Sequence, residues 1–107
     1  MKARILEQCE KGGVSFVELE MHVPDFEGDY MFGYGDNNVY MWFGMSRQAM
    51  DCIDELLKES KITAKRSSVM VYAIDGKVPT FEVAKRPFNH KYKTPRWLPI
   101  VFWIGKD

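Results

Sequence analysis

The sequence is poor in the features that would name a function at once. It has two cysteines, Cys9 and Cys52, with no CxxC spacing, which excludes a disulfide framework and a cysteine-built zinc site. It has two histidines, His22 and His90, far apart in the chain. Apolar runs such as 100–104 fall far short of the roughly 20 residues that a membrane-spanning helix needs, so no bilayer crossing is expected. At the N-terminus Glu7 and Gln8 follow Ile5 and Leu6 directly, leaving no apolar core for a secretory signal, and a cytoplasmic protein with reduced thiols is the expectation. No serine stands in a G-x-S-x-G setting, so nucleophilic hydrolysis has no support from motif.

Net charge is also missing, with 15 basic and 15 acidic residues. A neutral chain lacks the long-range field by which a free-standing nucleic-acid binder gathers its ligand. It also lacks the repulsion that keeps copies apart, so a homodimer is expected. The balance conceals an asymmetry, however. Residues 1–59 hold five basic and twelve acidic side chains, a net of −7, and residues 60–107 hold ten basic and three acidic, a net of +7. The two halves either neutralise each other or leave a basic patch on one face.

What is present is apolar and aromatic. Of 107 residues 46% are hydrophobic and 14% aromatic, enough for one α+β domain spanning 1–107 to bury a core without a metal or a disulfide. Alternation of Val17, Leu19, Met21 and Val23 with polar neighbours reads as a strand over 14–23, paired through Gly12-Gly13 with a strand over 3–10. Pro24 ends that pattern, and the glycines and the Asp36-Asn37-Asn38 run predict a long loop over 25–38. Residues 39–45 read as a strand covered on both faces. Ser46 caps a helix over 47–61, whose Ala49, Met50, Ile53, Leu56 and Leu57 recur at three- and four-residue steps. Strands over 68–74 and 79–85 flank the hairpin signal Asp75-Gly76, and a last strand covers 100–104. The expected fold is a largely antiparallel sheet of five to six strands with one main helix packed on one face, in the order β-β-β-α-β-β-β. One helix leaves much of such a sheet bare, with Trp42 or Trp103 on the uncovered side, a second reason to expect a partner copy.

Two segments carry the candidate chemistry. The basic segment 85–99 interleaves Lys85, Arg86, His90, Lys91, Lys93 and Arg96 with Phe88, Tyr92 and Trp97, the mixture of cations for phosphates and rings for bases that binds single-stranded nucleic acid. In an RNA-processing enzyme His90 would shuttle the proton while Lys91, Lys93 or Arg96 met the phosphate charge, which makes His90 the catalytic candidate. The aromatic segment carries Phe26, Tyr30, Phe32, Tyr34, Tyr40, Trp42 and Phe43 within 26–43, a density found at partner interfaces and in pockets for flat ligands.

Other constellations are less telling. Glu18, Glu20 and His22 would line one face of a strand, but without a second histidine or a cysteine cluster they are a solvated face rather than a metal site. Asp25, Glu27 and Asp29 alternate as in a calcium loop, yet Asp36 stands where the closing glutamate belongs. No cofactor is implied. The reading is a non-enzymatic binding or regulatory module acting through 25–38 and 85–99, with Arg86, His90, Lys91, Tyr92, Lys93, Arg96, Trp97, Tyr30 and Tyr34 as its contact residues. Protein partners are favoured. A nucleic-acid binder built on the segment around His90 is the alternative, and a small-molecule binder using the 26–43 aromatics is a third.

Overall fold

A computed structural model describes residues 1–85 and 90–105. Its elements in chain order are helices α1 (Lys2–Cys9) and α2 (Phe16–His22), strand β1 (Glu27–Tyr34), a 3-10 turn (Gly35–Asn37), strand β2 (Val39–Met45), helix α3 (Arg47–Lys58), strand β3 (Ile62–Arg66), helix α4 (Val69–Asp75), and strands β4 (Arg96–Trp97) and β5 (Ile100–Ile104). The class is α+β, but the expected architecture is overturned. Four helices accompany two small sheets, one of three strands in the order β1-β2-β4 and one pairing β3 with β5, in place of a five- to six-stranded sheet under a single helix.

The corrections have local causes. Segment 14–23 alternates, but Ser15 followed by Glu18 has the spacing of a helix-capping box, and the Ser15 hydroxyl accepts the Glu18 N–H at 3.2 Å. In the resulting helix Phe16, Val17 and Leu19 turn inward while Met21, which a strand would have aligned with Val17 and Leu19, lies 67% exposed. Segment 3–10 lies in α1, which has no side-chain cap, with Ile5 and Cys9 one turn apart in the core. Gly12 and Gly13, at φ of 76° and 65°, link the two helices rather than two strands, and Trp103 packs over both. Segment 68–74 is α4, and Gly76, at φ 102°, closes it as a left-handed cap instead of turning a hairpin, its N–H donating to the Tyr72 carbonyl at 3.0 Å. Residues 79–85 make no strand beyond an isolated bridge from Val83 to Trp97.

The expected loop 25–38 is largely β1, antiparallel to β2 with three register irregularities. Its glycines serve close approach. A Cβ at Gly28 would meet the Ser46 backbone, and one at Gly33 the Val39 carbonyl. Strands 39–45 and 100–104 stand as expected, and α3 is capped by the Ser46 hydroxyl, which accepts from Ala49 N–H at 3.1 Å. That helix stops at Lys58 rather than residue 61, because Ser60 adopts φ 58° and turns the chain into β3, an element hidden in the sequence.

One core joins both sheets and the helices. Phe16 stacks on Trp42 at 5.7 Å, meets Phe102 edge-on at 5.1 Å, and Tyr72 sits against both Trp42 and Trp97. Trp42, expected on an uncovered face, is 1% exposed. No helix among the described residues is long and apolar enough to cross a membrane.

Candidate functional site

The two segments singled out in the sequence meet in space. Tyr92 N–H donates to the Asn37 carbonyl at 3.1 Å, Asn38 Nδ2 donates back to the Tyr92 carbonyl at 2.9 Å, and Arg96 N–H reaches the Asn38 carbonyl at 2.8 Å. Asn38 makes this possible by holding a left-handed φ of 57°, a conformation asparagine tolerates better than most residues. The docking places β4 parallel to β2, with Arg96 beside Val39 and Trp97 beside Tyr40.

Tyr92 is the centre of a small stack. The Arg96 guanidinium lies 4.8 Å from its ring centroid and the His90 ring meets it edge-on at 4.6 Å. Arg96 also pairs with Glu82 at 2.8 Å. Lys91 and Lys93 point outward with no ion pair among the described residues, and Arg86 lies outside those residues. Trp97 is buried, its indole N–H donating to the Met41 carbonyl at 3.2 Å, so it anchors the segment from beneath. Tyr30 and Tyr34 are each 48% exposed on β1.

Tyr34 connects this face to a recess that the sequence did not announce. An apolar trough of about 520 Å³ is lined by Tyr34 and Met41 from the first sheet, Leu57 and Ser60 from the end of α3, residues 62–64 and Arg66 of β3, and Leu98 and Ile100. Its volume lies in the usual range for ligand sites, roughly 300–1,000 Å³. Arg66 is the charged side chain of its lining, and its Nη2 donates to the Ala84 carbonyl at 2.8 Å. No periodicity could have revealed the trough, since β2, α3 and β5, though expected, line it together with β1 and β3, which the sequence pattern missed, and the pattern does not say how elements are joined.

The buried polar groups are consumed by structure. Glu20, with a side chain 5% exposed, accepts the Trp42 indole N–H at 2.6 Å and Lys77 Nζ at 3.0 Å. The helical α2 therefore separates Glu20 from Glu18 and His22, which one face of a strand would have aligned. Among the described residues no group of three or more histidine, cysteine, aspartate or glutamate side chains could hold a metal ion. Ser15 donates to Asp75 at 2.6 Å, and Tyr72 donates to the Ile100 carbonyl at 2.6 Å while accepting the Phe16 N–H at 3.2 Å. Burial pushes the Tyr72 phenol well above its ordinary range and the Cys9 thiol up to about 11, so neither supplies an anion at neutral pH.

Fold and site together define a small α+β protein with an apolar trough beside a basic, aromatic face. No family model, curated protein or solved structure matches the chain.

Proposed function

We propose that this protein is a binding module for a polypeptide partner, working without chemistry of its own, and that the partner contacts the trough and the adjoining face carried by Tyr34, Tyr92 and Arg96. The observation that carries this reading is the trough itself, an apolar recess with few polar groups converging on it. The docking of residues 90–97 onto the 35–38 turn supports it, because this joins the two aromatic segments into one face. Two free thiols suit a cytoplasmic setting, and a homodimer remains part of the proposal.

The anionic dye anilinonaphthalene sulfonate tests the trough. It should brighten on the native protein and shift the amide resonances of Leu57, Ile62 and Leu98, and Ala64→Trp, which fills the trough from an exposed strand position that shares a face with Ile62 and Arg66, should abolish both effects. Brightening that survives Ala64→Trp, or none at all on the native protein, overturns the reading.

The exposed Lys91 and Lys93 beside the His90–Tyr92–Arg96 stack support a second reading, capture of single-stranded nucleic acid. Fluorescence anisotropy of labelled RNA and DNA pools at two salt concentrations decides it. Binding that weakens steeply with salt and is lost in Lys91→Ala/Lys93→Ala favours nucleic acid, and no binding at low salt sinks it.

A further inference from the structure

The ladder between β3 and β5 reveals which way β3 faces its hydrogen-bonding groups. Gly105 N–H donates to the Lys61 carbonyl at 2.8 Å and Ser67 N–H to the Pro99 carbonyl at 2.8 Å, and these residues lie directly opposite one another in the antiparallel register. Bonded and non-bonded pairs alternate along such a ladder, so Thr63 and Lys65 spend their backbone groups on β5. Ile62, Ala64 and Arg66 therefore direct their N–H and C=O groups away from it. Ile62 is 1% exposed, so its outward groups are covered. Those of Ala64 and Arg66 lie on exposed residues and have no backbone partner among the described residues, whereas the far edge of β5 is closed, with Phe102 and Val14 exchanging bonds at 2.8 and 3.0 Å. The stretch from Ala64 to Arg66 is thus an open strand edge along the wall of the trough.

An edge of this kind is a template for another strand. Its charge selects which one. Lys65 lies with its Nζ 5.3 Å from the Trp103 ring and Arg66 is bound to a carbonyl, and neither has an acidic partner among the described residues. A second copy of β3 would bring another Lys65 and Arg66 to the same ladder, a like-charge arrangement that disfavours self-pairing. An acidic strand would meet both cations.

We infer that β3 is a peptide-capture edge. An extended acidic peptide adds to it as a third strand of the β3-β5 sheet, bonding to Ala64 and Arg66 and dropping alternate apolar side chains into the trough. This rests on the trough being the ligand seat, and it names the ligand's chemistry and the way it is held.

The test is selection of random decapeptides displayed on phage against the full chain, followed by synthesis of the winners and fluorescence polarisation. Winners should alternate apolar with acidic residues. Methylating the backbone nitrogens of one alternate set of residues should weaken binding by at least about tenfold, and methylating the other set should leave it unchanged, because only one set faces β3. Ala64→Pro, which deletes an outward N–H and leaves the β5 ladder intact, should abolish binding. Lys65→Glu/Arg66→Glu should turn the preference towards basic peptides. Winners indifferent to both methylation patterns but lost in Ala64→Trp, which keeps the backbone N–H, overturn strand addition and leave the trough as ligand seat. Winners that bind Ala64→Trp unchanged, or a selection that enriches nothing, overturn both.

Discussion

Tyr72 bonds two elements through a single hydroxyl, accepting from the first residue of α2 and donating to the first of β5, inside a cage of Trp42 and Trp97. Tyr72→Phe keeps the ring but leaves the Ile100 carbonyl buried without its donor, so urea denaturation should show a loss of roughly 1–3 kcal/mol. The same burial governs alkaline behaviour. Tyr72 and Cys9 both hold their protons more tightly when folded, and the folded chain binds more protons than the unfolded one above the ordinary values. Their contribution is complete below pH 9.0, the ordinary thiol value, and drains away as pH rises through about 11 and beyond. Denaturation midpoints should therefore fall across that window, and Cys9→Ala should flatten the part near pH 10. At neutral pH iodoacetamide should modify the half-buried Cys52 well before the enclosed Cys9.

Among the elements, the short ones decide the fold. Ser15 caps α2 and ties it to the end of α4 through Asp75, and Ser46 caps α3 while donating to the Asp25 carbonyl at 2.7 Å in an exposed place. Ser46→Ala should cost about 1 kcal/mol, and Ser15→Ala more, roughly 1–3 kcal/mol, since Ser15 is fully buried and its bonds are shielded from water. Thermal melting of the two variants should rank them in that order. α3 was legible because five apolar residues, Ala49, Met50, Ile53, Leu56 and Leu57, recur over three turns behind a capping serine. α1, α2 and α4 run only seven or eight residues, and over two turns a helical stripe and a strand alternation share most of their positions. The capping spacing of Ser15 and Glu18 was the signal available for α2. β1 was concealed by glycines that resemble turn formers but allow two strands to crowd, and Gly33→Ala should loosen β1 from β2, visible as faster amide exchange at Phe32 and Trp42. The candidate face was half legible. Its residue types stood out, but the bonds from Tyr92 to Asn37 and Asn38 join positions more than fifty apart, and no periodicity records such a meeting.

Among the described residues, the opposed charges of the two halves meet at Lys77 and Glu20 and, on exposed surface, at Lys61 and Glu59, while ion pairs such as those of Lys2 and Lys58 stay within one half on exposed surface. Stability should accordingly respond weakly to salt. Packing carries the fold instead. Phe102, fully buried, reaches Phe16 across the core while its backbone pairs with Val14. Phe102→Ala should remove about 3–5 kcal/mol, most of the margin of a small domain, and circular dichroism should show a largely unfolded population at physiological temperature. That position has a consequence during synthesis. The first helices leave the ribosome well before the strand that seals them, so the edge of Phe16 that meets Phe102 stays open while residues 1–99 are made. The core can close only once residues 100–104 have arrived, which makes its last step the slowest to become available during synthesis.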